Sequence, residues 1–225
     1  MDDWISLLGS HLPEFFQGFK ITIRITLVGL GIGAALGLPA AVLRVYGGKW
    51  IRTIALAYIE LFRGTPILAQ LFLVYYGLPD MGIILPRMGA AYLALGLNSG
   101  AYQAEYFRGA IQAIGGGQMM AARSIGMSRI KAIRHIILPQ ALRLVIPPWS
   151  NEPISLMKAS AVVYLIAVPD LMTKGKQLIA QYYYSPIVVY LIVAVFYLVL
   201  VLSLTWILNR VRTRLEIPGL DVETR

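Results

Sequence analysis

The amino-acid sequence predicts an all-α integral membrane protein with five transmembrane helices, its N-terminus outside and its C-terminus in the cytoplasm. Three observations carry that reading. The chain has 225 residues, of which 58% are hydrophobic and only 14% charged, and its mean hydropathy is +0.69. Soluble domains carry roughly a quarter charged residues, and one of this length has no interior large enough for so many Val, Ile and Leu side chains. Five segments approach the roughly 20 apolar residues that cross a bilayer core. The basic residues between those segments fall alternately on one side.

The first span covers about residues 21–43. The segment before it, "MDDWISLLGSHLPEFFQGF", is acidic and lacks the basic region and cleavage site of a signal peptide, so it is expected to be retained. The second span, about 54–78, holds Glu60, Arg63 and the helix breaker "GTP" at 64–66. The third, about 89–113, holds Asn98, Ser99, Gln103, Glu105 and Arg108; the fourth, about 141–168, holds "PPWSNEP" at 147–153 and Lys158. The fifth, about 187–208, has no charge at all. No internal repeat or low-complexity linker divides the chain, so one domain is expected over 1–225.

Arg44, Lys49 and Arg52 follow span one, Arg123, Arg129, Lys131 and Arg134 follow span three, and Arg210, Arg212 and Arg214 follow span five. The positive-inside bias makes that side cytoplasmic. The other side receives the N-terminus, a loop with Asp80 and Arg87, and a loop with Asp170, Lys174 and Lys176, while "QYYYSP" at 181–186 suits the outer interface. A net charge of +9 also raises nucleic acid as a partner. The dispersal of the charges over short loops argues against it.

Charged groups in hydrocarbon cost at least a few kcal/mol and so face protein or water, and backbone freed by proline needs partners. Spans two, three and four are therefore expected to form the inner surface, with spans one and five toward lipid. Glu60 with Arg63, and Glu105 with Arg108, are three residues apart and can pair on one helix face. Such pairs either neutralise each other for insertion or line a polar path. Asn98, Ser99, Tyr102, Asn151, Glu152, Lys158 and Ser160 form a looser polar set. Singly each serves as interhelical hydrogen-bond glue; as a set they are what a route for a polar solute needs.

Enzyme signatures are missing. The chain has no cysteine, and its two histidines, His11 and His135, lie far apart without metal-binding spacing. There is no GxSxG elbow, and "GGGQ" at 115–118 lacks the Lys-Ser/Thr of a phosphate-binding loop. Any nucleotide hydrolysis is expected on a separate partner.

The basic stretch "QMMAARSIGMSRIKAIRHIILPQALR" at 118–143 is expected to form two short helices on the cytoplasmic side. Gly126 suits the left-handed conformation that ends the first. Ser128 is the N-cap of the second, which runs to Pro139 with Ile130, Ile133 and Ile137 on one apolar face. Such a knuckle is either an interfacial helix among anionic headgroups or a docking element.

The order "AARSIGMSRIKAIRHIILPQALR" resembles the cytoplasmic signature loop of ABC-importer permease subunits. "ELFRGTP" at 60–66, "SGAYQAEYFRGAIQAI" at 99–114, "LPQALR" at 138–143 and "NEPISLMK" at 151–158 are similar to the polar amino-acid uptake subfamily, the histidine/glutamine/arginine permease type. The resemblance runs from about Phe16 to the "PGL" at 218–220. It implies a permease that works with a second copy or paralogue and with a cytoplasmic ABC ATPase dimer. An extracytoplasmic solute-binding protein would deliver a polar amino acid. No cofactor is implied in this chain; ATP and magnesium belong to the ATPase. Ala121, Ala122, Gly126 and Pro139 match the signature, with Ser128 and Arg129 in the same coupling stretch, while Met120 stands where the family has a glutamate. "KASA" at 158–161 replaces the family's Lys-Asp-Thr-Ser-like run, which weakens the expectation that this subunit binds solute itself. The rival reading is a membrane scaffold or assembly subunit, which has no use for Asn98, Glu105 and Lys158 at membrane depth.

Overall fold

A computed structural model describes residues 3–114 and 116–215, apart from the side chains of residues 3–6, 214 and 215. Gly115 and the 218–220 motif lie outside the described residues, among which there is helix and no strand. The first helix, α1 (Asp3–Tyr46), has 44 residues, so it is about 66 Å long at 1.5 Å per residue. That is twice the roughly 30 Å of a hydrocarbon core, and the helix packs differently at its two ends. Its C-terminal part runs along α4 (Arg87–Ala113). Its N-terminal part joins α10 (Leu171–Tyr182) and α11 (Pro186–Leu215), where Leu7, Phe15, Leu171, Leu178, Val189 and Val193 form a separate apolar cluster.

The expectation that span one faces lipid is therefore corrected: it is the principal partner of α4. Gly29, Gly33 and Gly37 recur every four residues on α1 and face α4: Gly29 lies against Leu95, Gly33 against Ser99 and Gly100, and Gly37 against Gly100 and Ala104. A Cβ on Gly37 would lie 2.7 Å from the Gly100 carbonyl oxygen and 3.0 Å from the Ala104 nitrogen. Small residues at this spacing let two backbones approach closely, and packing then replaces the hydrophobic drive that lipid does not supply. The opposite face of α1, with Leu27, Leu36 and Leu43, stays exposed.

Span two is a broken helix rather than a continuous one. α2 (Lys49–Gly64) and α3 (Ile67–Phe72), the latter continued by a π-turn (Leu73–Gly77) and a 3-10 turn (Leu78–Met81), meet at 106°. Pro66 enforces the break. It lacks an N–H and pushes Thr65 into extended conformation, with φ −117° and ψ 146°. The carbonyls this frees find donors nearby. Gln70 Nε2 donates to Phe62 O at 2.8 Å and Thr65 O at 3.0 Å, and Asn98 Nδ2 donates to Phe62 O at 3.0 Å. Gln70→Leu removes a donor shared by two partly buried carbonyls, of which Phe62 O keeps Asn98, and is expected to cost about 1 kcal/mol. Thermal unfolding in detergent checks this, and Gln70→Glu, which has no N–H to donate, should fare no better.

After α4 the chain enters α5 (Gly116–Ser124), turns at Gly126 with φ +85°, and restarts at Ser128, whose hydroxyl accepts the Lys131 N–H at 3.3 Å. The glycine break and the serine cap are as the sequence predicts. The stop at Pro139 is not. α6 (Arg129–Ala132) passes through a π-turn (Ile133–Ile137) straight into α7 (Leu138–Leu144). In that turn the Leu138 N–H reaches back five residues to Ile133 O, which makes room for the proline ring at the start of α7. The extra residue also splits the predicted apolar face: Ile137 is buried while Ile130 is exposed.

Span four is segmented into α8 (Ile146–Trp149), α9 (Asn151–Ala159) and a 3-10 turn (Ser160–Ile166). The expected outer loop with Asp170, Lys174 and Lys176 is instead helix α10, capped by Asp170, whose Oδ1 accepts the Thr173 N–H at 2.9 Å. By length and apolar composition two of the described helices, Leu7–Tyr46 and Pro186–Thr213, suffice to cross a membrane. The number is four when each bent pair counts as one span. α4 has the length, 27 residues, but carries the polar residues of the site.

Candidate functional site

The break between α2 and α3 opens a cavity of about 500 Å³ against α4 and α9. Arg63, Thr65, Asn98, Tyr102, Tyr106, Glu152 and Ser155 contribute its polar lining. Asn98, Tyr102 and Tyr106 are four residues apart and so share one face of α4. The Asn98 amide also reaches Gln70 Oε1 at 3.1 Å, so the rim of the cavity is held by the groups that satisfy the broken helix. Arg63 is partly exposed, with its guanidinium 5.4 Å from the Tyr102 ring centroid. Glu152 is buried, its Oε1 accepting from Ser99 Oγ at 2.7 Å. One cavity thus holds both a cation and a carboxylate.

The predicted pairs come out unequally. Glu105 pairs with Arg108, at 3.0 Å to Nε and 2.8 Å to Nη2. It also accepts from Arg44 of α1 and lies 3.9 Å from Arg63 of α2. Glu60 forms no ion pair among the described residues and is exposed, because Arg63 turns to α4 instead. The polar set divides likewise. Arg63, Asn98, Tyr102 and Glu152 line the cavity, Ser99 reaches it through Glu152, and Glu105 lies outside the lining as a three-helix junction. Asn151 and Lys158 are exposed and outside the lining. Ser160 is buried and bonds back to Met157 O at 2.7 Å, a local role. Tyr106, Gln70 and Arg44 escaped the sequence reading. The four-residue step from Asn98 through Tyr102 marks Tyr106, whereas the tie between Arg44 and Glu105 spans 61 positions and has no local signal.

On the segment between α4 and α8, which includes the predicted coupling stretch, Met120, Ala121, Gly126, Ser128, Arg129 and Pro139 are exposed while Ala122 is buried. Met120, Ile125 and Ile130 are exposed apolar side chains on the same segment as Arg123 and Arg129. The Arg129 guanidinium sits 5.4 Å from the Tyr46 ring centroid, which ties this segment to the end of α1. No group of three or more His, Asp or Glu side chains able to hold a metal occurs among the described residues.

Residues 29–217 match the family model described as binding-protein-dependent transport system inner membrane component. A glutamine transport system permease protein of Escherichia coli (strain K12) is 37% identical over 217 residues, covering 96% of this chain and 98% of that protein. An arginine transport system permease protein of Bacillus subtilis (strain 168) is 38% identical over 209 residues, covering 92% and 94%. Among solved structures, an amino acid ABC transporter crystallised with histidines superposes with a TM-score of 0.86 at 36% identity, covering 95% of this chain and 99% of that one. A methionine ABC transporter shares the fold, with a TM-score of 0.77 at 22% identity over 92% of this chain and 99% of that one.

Proposed function

This chain belongs to the binding-protein-dependent transport system inner membrane component family, and from that membership we propose how its cavity and inner segment serve transport. It is a permease subunit of an ABC amino-acid importer, with ATP hydrolysis on a separate ATPase. In the proposed arrangement it crosses the membrane five times, α4 and the two bent pairs completing the count, with the C-terminus in the cytoplasm. The solute is a polar amino acid of the glutamine or arginine class, as in the names of its relatives. It sits in the cavity between α2–α3, α4 and α9. Arg63 meets its α-carboxylate, Glu152 its α-ammonium, and Asn98 and Tyr106 supply neutral hydrogen bonds.

The observation that carries this reading is the presence of Arg63 and Glu152 in one cavity of about 500 Å³. Ligand sites of this size fix orientation with a few placed polar groups, and a zwitterion asks for one of each sign. Lys158, Asn151 and Glu60, outside the lining, have no part in it. Glu152→Gln removes the charge while keeping the shape. In liposomes containing permease, ATPase and solute-binding protein, it should raise the KM for uptake roughly tenfold or more, the scale of a hydrogen bond to a charged group. An unchanged KM overturns the assignment.

The inner segment is proposed to dock on the ATPase dimer. Its support is the exposed Met120, Ala121, Ile125 and Ile130 surface, with Arg129 anchoring it to Tyr46. Met120, where the family has glutamate, makes this contact apolar rather than ionic. Closure of the ATP- and magnesium-loaded ATPases then biases the permease toward its outward state, for which a preference of about 5 kcal/mol shifts a population decisively. A second permease copy or paralogue and an extracytoplasmic solute-binding protein complete the proposed assembly in the inner membrane.

A further inference from the structure

Glu152 is oriented by a chain of hydrogen bonds that starts outside the cavity. Trp149 Nε1 donates to Gln103 Oε1 at 2.9 Å. Gln103 Nε2 donates to Ser99 Oγ at 3.0 Å and to Leu30 O at 3.1 Å. Ser99 Oγ donates to Glu152 Oε1 at 2.7 Å. Ser99 and Gln103 are fully buried, so no solvent competes for these groups. A Cβ on Gly33 of α1 would collide with the Gln103 amide and lie 2.9 Å from Ser99 Oγ, so the glycine provides the room.

The direction of the chain follows from donor chemistry. An indole N–H only donates, so it requires the oxygen of the Gln103 amide on its side and turns the NH₂ toward Ser99. The Leu30 carbonyl, which only accepts, enforces the same amide orientation. Ser99 Oγ, having received an N–H, is left with its own hydrogen to give, and Glu152 is the acceptor within reach. A buried carboxylate in a cavity wall has few other ways to be held in one rotamer. Trp149 itself packs against two apolar clusters, one around Ile137, Ala141 and Val145 and one around Leu95 and Leu156.

We infer that Trp149 and Gln103 are positioning residues for solute binding, acting through Ser99 on the Glu152 carboxylate. The inference rests on the assignment of the cavity as the solute site. Trp149→Phe keeps the ring packing and removes the donor. In liposomes containing permease, ATPase and solute-binding protein, it should raise the KM for glutamine or arginine uptake, whichever the wild type carries, roughly tenfold. The maximal rate should stay within about twofold, since the effect is on binding alone. Ser99→Ala, which breaks the last link, should give a similar KM. The double variant should show the KM of the worse single variant, because both interrupt one path.

If the two effects multiply instead, or if Trp149→Phe lowers the maximal rate with KM unchanged, the inference is overturned and Trp149 is a packing residue. An unchanged KM in Trp149→Phe alongside a raised KM in Glu152→Gln also overturns it while leaving the cavity assignment standing. If Glu152→Gln leaves KM unchanged too, the cavity assignment itself fails. Should Trp149→Phe not assemble, Gln103→Leu provides the same readout from the middle of the chain.

Discussion

Glu105→Gln is expected to lower the thermal unfolding midpoint of the purified permease by roughly 5–10 °C, corresponding to about 3 kcal/mol for a chain of this size. The carboxylate joins three helices: Arg44 from α1, Arg63 from α2 and Arg108 from its own α4. Arg108 approaches with Nε and Nη2 on one oxygen while Arg44 takes the other. Removing this carboxylate leaves the guanidinium groups close together with only the more distant Glu60 acting on Arg44. Breaking a buried pair costs about 3–5 kcal/mol, and the lower end applies because the Arg63 side chain is 37% exposed and screened accordingly. A second substitution gives the sign. Arg44→Met in the Glu105→Gln background should recover part of the loss by removing one uncompensated cation. If Glu105→Gln unfolds at the wild-type temperature, the junction contributes nothing and α1, α2 and α4 are held by packing alone.

Gly37→Ala and Gly31→Ala are expected to change stability in opposite directions, although both replace a glycine on the same helix. Alanine is favoured over glycine inside a helix by about 1 kcal/mol. At Gly31 a Cβ meets nothing within 4 Å, so that gain should appear in full. At Gly37 the Cβ would meet the Gly100 carbonyl at 2.7 Å and the Ala104 nitrogen at 3.0 Å, both backbone atoms that cannot rotate away. The two helices must separate, and overpacking of this kind costs about 1–3 kcal/mol, which exceeds the propensity gain. Thermal unfolding of the two variants side by side checks the signs. Leucine at Gly37 should prevent recovery of folded protein. A stabilised Gly37→Ala would mean that α1 and α4 do not approach as closely as described.

Composition was enough to recognise a helical membrane chain. Even the turn at Gly126 and the cap at Ser128 could be read, since each depends on a conformational preference confined to a few residues. The candidate site was legible in part. Asn98, Tyr102 and Glu152 stood out because polar groups in apolar segments are costly and need a reason. The pairing of Glu60 with Arg63 failed because a three-residue spacing permits a bond without requiring it. A better partner, Glu105, lay on another helix.

What the sequence by itself determined, then, is what local chemistry dictates: helix over strand, a break at Pro66, a knuckle at Gly126, and through its motifs the family. Which helix α1 packs against, which arginine meets which carboxylate, and the path from Trp149 to Glu152 were decided by the tertiary structure. Each depends on contacts between residues tens of positions apart, such as Arg44 with Glu105 and Trp149 with Gln103. Their energies depend on close approach in three dimensions, and a one-dimensional pattern carries no record of that distance.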